Sequence, residues 1–320
     1  MTFGSPEALR ALARQHLPSD AAERWLGLLR PAVRLEAAAD GDLVVGQLGG
    51  APRLPAGVEW PYWPGHGALS FIASLDCASL DRASLPESEE EVRLPREGTL
   101  SFFYFDGQLD DGEAQVLPEE RESWAGARVV HTPPDGTGTG TGIGSGSGTG
   151  TDPGPGPGPT AGRTAPAGLT PYPRVPLTAR RGMSAAEPWH PRLRDAFAPD
   201  APLGHRYEHP VCAQEFLEAV WEFDEAPGHQ IGGHAHAVQN PVEIEVAAAV
   251  LGGDGGDEGP AWDHPALAEE AHGWVPLAQF DSDDAAGMEW GDAGTLYWLI
   301  RPRDLAACRF DRAMFTWQCG

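Results

Sequence analysis

The chain has no lysine; all 22 of its basic residues are arginine. A Walker A loop has no residue with which to reach the β- and γ-phosphates, so P-loop chemistry is excluded. Schiff-base, Ser-Lys and kinase-type mechanisms lose their central group as well. Cysteine is sparse: Cys77, Cys212, Cys308 and Cys319 are far apart and never form a C-x-x-C pair. That excludes the zinc-ribbon and thioredoxin-like spacings. No apolar run approaches the roughly 18 residues of a membrane span. The opening MTFGSPEALRALARQHLPSD has early charges and no apolar core of the signal-peptide kind, so a cytoplasmic protein is expected. Positive charge is also scarce, with 22 basic against 47 acidic residues and a net charge of −25. Such a surface repels nucleic acid and anionic membrane and suits a basic protein partner.

What remains is a soluble globular composition with short, punctuated segments. Ser5-Pro6-Glu7 supplies a cap, an N1 proline and a first-turn acid ahead of Leu9, Leu12 and Ala13; Ser19-Asp20 opens a second helix that Pro31 stops. From Val33 the runs VRLEA, DLVVGQL, ALSFIASLD and TLSFFYF read as strands. The acidic stretch 84–93 reads as a loop. Residues 135–168, almost all Gly, Thr, Ser and Pro, offer no side chains for a core and are expected to form a disordered linker. PVCAQEFLEAVWEFDE reads as a helix ended by Pro227-Gly228, and GGDGGDEGP as a second loop. VEIEVAAAVL (242–251) alternates like a strand in its first half and is helix-prone in its second. WVPLAQFD, GTLYWLI and RAMFTWQC close the chain as strands.

Two ordered series stand out. GQLGGAPRLP, GALSFIASLD and GTLSFFYF come first; HQIGGHAHAVQ, GWVPLAQFD and GTLYWLI follow. Each runs from Gln-aliphatic-Gly-Gly to a strand ending in Asp, then to Gly-Thr-Leu and an aromatic strand. Gly-Gly alone carries little weight in a chain with 41 glycines, but three matched elements in one order indicate an internal pseudo-repeat. The expected fold is α+β: mostly antiparallel sheet built from two pseudo-repeats, with N-terminal helices and one mid-chain helix. The segments are 1–31 (helical), 32–134 (first copy), 135–168 (linker) and 169–320 (second copy), both copies forming one compact domain.

GQLGGAPRLPAGVEWP with LSFIASLD, HQIGG with a downstream glutamine, and GDAGTLYWLIRPRDLAACRFDRAMFTWQC resemble the YwqG-like family of bacterial proteins, over roughly 43–105 and 208–319. The resemblance implies an α+β fold of two related halves in one unit. It carries over no catalytic residue. His234-Ala235-His236 stands where a proline is expected after the second Gly-Gly, and the Gly/Thr/Pro insertion is peculiar to this chain.

His229, His234 and His236 are the metal candidates, since His-x-His on a strand puts two rings on one face and zinc accepts three imidazoles. Against them, no carboxylate sits at ligand spacing, and a structural turn is the stronger reading. Residues 281–292 mimic a calcium loop but have Ala286 where glycine is needed and Asp292 where a bidentate Glu is needed. The binding candidates are Gln47, Gly49, Gly50, Trp60, Tyr62 and Trp63 around the first Gly-Gly, Gln230, Gly232, Gly233 and Gln239 around the second, and Trp290 and Asp292. Trp60 to Pro64 either line a groove or close one end of a core. The functional expectation is a non-catalytic module binding a protein or small molecule, one version being neutralisation of a basic toxin (immunity). No cofactor is expected. The alternative is a zinc-dependent enzyme using the three histidines, with Glu289 or Asp292 as base.

Overall fold

The computed structural model describes residues 2–55, 57–82, 93–134, 162–223, 228–252 and 264–320. The expected acidic loop 84–93 except Arg93, all but 162–168 of the Gly/Thr/Pro stretch, and GGDGGDEGP beyond Gly252 lie outside those residues. In chain order the strands are β1 Thr2–Gly4, β2 Arg30–Ala37, β3 Gly46–Leu48, β4 Tyr62–Trp63, β5 Gly67–Ala68, β6 Ser70–Asp76, β7 Thr99–Tyr104, β8 Ala127–Thr132, β9 Val175–Ala185, β10 Gln230–Gly232, β11 Val275–Asp281, β12 Thr295–Ile300 and β13 Met314–Gln318. The helices are α1 Pro6–His16, α2 Ser19–Leu26, α3 Cys77–Arg82, α4 Pro191–Phe197, α5 Gln214–Trp221, α6 Val242–Gly252, α7 Pro265–His272 and α8 Pro302–Ala306.

The architecture is α+β and its main sheet is antiparallel throughout. Its order is β13-β12-β11-β10-β2-β9-β3-β6-β7-β8, with β1 added to the free part of β9. Outward from the central β2–β9 pair the two arms follow the same path. β3 pairs β6 with Leu48 opposite Ala73, and β10 pairs β11 with Ile231 opposite Ala278. The register slips once between Phe71 and Ala73 on β6, and once between Pro276 and Ala278 on β11. Asp76 then faces Thr99, and Asp281 faces Thr295.

The sheet curls until its arms face each other, giving a nearly closed barrel. Phe102 of β7 lies 5.1 Å from Phe280 of β11 and 5.3 Å from Trp298 of β12, ring centre to ring centre, both edge-on. Tyr104 stacks at 5.0 Å on Phe315 of β13. Edge-to-face and offset contacts suit the aromatic quadrupole, and these rings fill the interior. A helical layer covers one side: Ser5 Oγ accepts the Ala8 N–H at 3.1 Å to cap α1, Leu9, Leu12 and Ala13 turn inward, and Trp25 meets Phe216 of α5 edge-on at 5.4 Å.

Several elements depart from the sequence expectation. β9, the central strand, was not anticipated: Arg180-Arg181-Gly182-Met183 breaks the alternation because Phe3 of β1 packs against Gly182, where a Cβ would sit 2.6 Å from the Phe3 ring. β8 and helices α3, α4, α7 and α8 were also not anticipated. The ambiguous 242–251 run is helix α6. Its strand-like start reflects burial on more than one side, because Val242 and Val246 pack with Trp274 and Tyr297 while Ile244 and Ala247 pack with Leu267. Pro31 belongs to β2 and does not end α2, which stops at Leu26. The boundary between the expected copies is interleaved, as β2 pairs β10 and β9 pairs β3.

At the two sharp corners glycine is required. Gly49 and Gly50 have φ of +55° and +72°, Gly232 and Gly233 of +65° and +72°, a region that costs L-residues with a Cβ about 1–2 kcal/mol. A Cβ on Gly49 would also lie 2.2 Å from the Pro173 carbonyl oxygen. Gly49→Ala should therefore destabilise by roughly 3 kcal/mol or more. Gly41→Ala, also at positive φ but with nothing within 4 Å, should cost about 1 kcal/mol. Urea unfolding of the two variants checks the contrast, and equal losses would show that close packing at the corner is not what demands glycine.

Candidate functional site

The Gly-Gly corners are built alike. Gln47 Nε2 donates to the Gly49 carbonyl at 2.8 Å, and Gln230 Nε2 donates to that of Gly232 at 2.8 Å. Each amide also reaches two residues further, to Ala51 at 3.4 Å and to His234 at 3.0 Å. The corners do not share a cleft. Leu48 sits beside Val175, whereas Ile231 sits beside Val33 and so level with Arg181, six residues along β9, or about 20 Å. The candidates near the two corners therefore form separate places.

The three candidate histidines are drawn to three different neighbours. His229 is buried; its Nδ1 accepts the Asp281 N–H at 3.1 Å, leaving Nε2–H to donate to Asp283 at 3.0 Å. That bond is the first cause holding the Asp283 carboxyl below its usual range. His234 is fully buried, donates from Nε2 to the Leu28 carbonyl at 2.8 Å, and has no partner on Nδ1. Burial holds its pKa well below the usual imidazole value, helped by His190, whose ring lies 5.0 Å away. His236 is pushed down to about 4, chiefly by burial, and takes part through its backbone: its N–H donates to Gln279 Oε1 at 2.9 Å and its carbonyl accepts the Tyr297 hydroxyl. Among the described residues no three His, Cys, Asp or Glu side chains gather as a metal site. Neither Glu289 nor Asp292 is hydrogen-bonded to these rings; Asp292 accepts the Gly320 N–H through its backbone at 2.9 Å, and the corner beside it is held by Ser282 Oγ, bonded to Trp290 N and Gly294 O.

Two buried polar groups were missed by sequence reasoning. His190 accepts the Arg192 N–H at Nδ1, which leaves its Nε2 proton facing Glu243 at 3.2 Å. Burial alone would raise the Glu243 carboxyl, but His190 offsets it by charge and hydrogen bond and the pKa falls to about 2. Two residues on, and so on a different face of the helix, Glu245 is raised to about 7, with burial first among the causes, although it accepts from Thr316 and Gln318 at 2.8 Å each. Gln239 joins this cluster through its N–H to Gln318 and its side chain to the Cys319 carbonyl. No sequence motif marks either acid, both lying inside an apolar helix.

The Trp60–Pro64 candidates divide. Trp60 donates its indole N–H to the Leu69 carbonyl at 2.8 Å and packs edge-on against Phe103, so it closes the core. Trp290 does the same from the other arm, edge-on to Tyr104 and Tyr172. Tyr62 is 58% exposed. Trp63 is buried but forms one wall of an open groove of about 550 Å³, with Pro64, His66, Glu113, Gln115, Glu120 and Glu122 around it. His66 stacks on Trp63 with ring centres 3.8 Å apart and planes 28° from parallel. The acidic string 110–122 and the Trp-x-x-His spacing were the available signals for this groove.

A family model described as Domain of unknown function (DUF1963) matches residues 46–319, and the chain belongs to that family. No curated protein matches the chain.

The pKa directions set opposite pH slopes. His236, lowered from 6.5 to about 4, contributes stability that is present above pH 6.5 and lost as pH falls through 4. Glu245, raised from 4.5 to about 7, contributes stability that is full below pH 4.5 and lost as pH rises through 7. Glu245→Gln should abolish the second slope, so that relative to wild type it gains on the order of 2–3 kcal/mol between pH 5 and pH 8. Urea unfolding at both pH values measures this; a pH-independent difference would place the Glu245 pKa near its ordinary value in the folded chain.

Proposed function

We propose that this protein is a non-catalytic binding module of two pseudo-repeats, acting in the cytoplasm and holding a partner at the groove beside Trp63 and His66. The observation that carries the reading is a contrast. The His229 and His234 rings are engaged in separate structural bonds and His236 is held through its backbone, while the His66 ring and the groove carboxylates are exposed. The matching arm order, bulges and corners support duplication, as does the YwqG-like resemblance of the sequence. Neutralising a basic partner, in the manner of an immunity protein, is the version that the net charge of −25 favours. In the described residues no helix is long and apolar enough to cross a membrane.

Protein purified without chelator is expected to carry no stoichiometric metal by elemental analysis. Zinc at one per chain that is lost in His234→Ala would sink the non-catalytic reading and restore the zinc enzyme.

The Gly/Thr/Pro segment is proposed as a dispensable insertion, up to a limit. Its last residues, 162–168, are placed against the first arm: the Arg163 N–H donates to the Pro52 carbonyl at 2.9 Å and the Arg163 guanidinium donates to that of Val58. Deleting 137–160 should leave the melting temperature within about 2 °C, whereas deleting 137–166 should lower it by roughly 4 °C for each 1–2 kcal/mol of anchoring lost. Equal effects would remove any role for Arg163.

A further inference from the structure

The groove beside Trp63 has a chemistry that narrows its occupant. One wall is the exposed face of His66, held flat by the Trp63 indole beneath it. Trp63 is fixed in turn by its N–H bond to the Glu122 carbonyl at 3.1 Å and by the edge-on Phe105 ring at 5.2 Å. The same groove is lined by Glu113, Glu120 and Glu122, all exposed. Ser123, buried at the base, bonds to Leu117 and Glu120 through its hydroxyl and so pins the loop that presents two of the three acids.

A planar aromatic face sharing a groove with several carboxylates matches a guanidinium, which is flat, stacks on rings and pairs with carboxylates through a fork of N–H donors. A bare divalent cation fits less well, since among the described residues no three such groups approach closely enough to share one ion. Anionic ligands are repelled by the walls and by the net charge. The volume, about 550 Å³, falls in the range of sites that bury a substantial ligand, and Tyr62 leaves a further exposed ring on the same hairpin. On this basis, which rests on the binding-module reading, we infer that the groove docks an arginine-bearing segment of a partner protein, with an arginine stacked on His66 and paired with Glu113, Glu120 and Glu122.

Titration calorimetry with a tetra-arginine peptide, its tetra-lysine counterpart and free arginine, on the full chain, tests this. The arginine peptide should bind more tightly than the lysine peptide and than free arginine. Combining Glu113→Gln, Glu120→Gln and Glu122→Gln should weaken it about tenfold or more, and His66→Ala should erase the preference over lysine. Glu7→Gln, Glu23→Gln and Glu218→Gln together remove the same charge from the helical layer and should change affinity less than about twofold, since exposed charges beyond a Debye length are screened. Equal losses in the two triple variants would reduce the effect to net charge and overturn the assignment. Free arginine binding as well as the peptide would overturn the protein partner. No binding of any of the three probes would end this inference while leaving the binding-module reading to the metal analysis, which tests it separately. Circular dichroism of each variant separates lost binding from lost folding.

Discussion

The antiparallel pairing of β2 with β9 is the contact on which the rest of the sheet depends. It runs from Arg30 opposite Ser184 to Ala37 opposite Leu177, and it joins two four-strand arms whose facing sides meet through side chains. Each strand of the pair also templates the next: β2 receives β10, and β9 receives β3. Without the seam, each arm would expose an unpaired edge and lose the facing aromatic layer of Phe102, Phe280 and Trp298. Backbone groups left without partners in that interior would cost more than the aromatic contacts return. The seam is non-local, closing across the entire Gly/Thr/Pro stretch, so its formation carries a large loop-closure entropy.

The glycine corners follow from the seam. A strand leaving β3 or β10 must turn sharply while the neighbouring chain lies against its backbone, at Pro173 in one case and at Ser184 and Ala32 in the other. Only residues without Cβ meet both demands, and the preceding glutamine amide then satisfies the carbonyls that the turn leaves outside the ladder. This is why Gln47-Leu48-Gly49-Gly50 and Gln230-Ile231-Gly232-Gly233 could be read together from the chain alone.

Legibility elsewhere tracked how local the cause was. The Ser5 cap, the aromatic strands β7 and β12 and the α5 helix declare themselves through neighbours in sequence. β9 does not, because its pattern is set by Phe3, about 180 positions away, and by helices over its outer face. The helix α6 hides for a related reason: burial on more than one side erases its amphipathic stripe. At the site, Trp63 was visible as part of an aromatic run. His66 and the three glutamates were ordinary surface residues until the fold brought the 113–123 loop across the β4–β5 hairpin. The histidines were visible, but spacing along the chain says nothing about what lies opposite each ring.

Where the two arms differ is as informative as where they agree. At the first corner Gln47 Oε1 accepts from Arg174 Nε at 2.8 Å. The sheet register puts Ala32 in the corresponding place at the second corner, and there Gln230 Oε1 is buried without a partner. The second corner is instead sealed by the N-terminal helical layer, through His234 and Leu28, and its imidazole lies too deep to meet a ligand. The first arm keeps the hairpin and loop that make the open groove, features the second arm lacks among the described residues. Under the proposed function, the sealed second arm is the scaffold and the open first arm is the recognition surface. On that proposal charge complementarity favours a cationic partner, because the exposed carboxylates of the groove and the net charge of −25 repel anions.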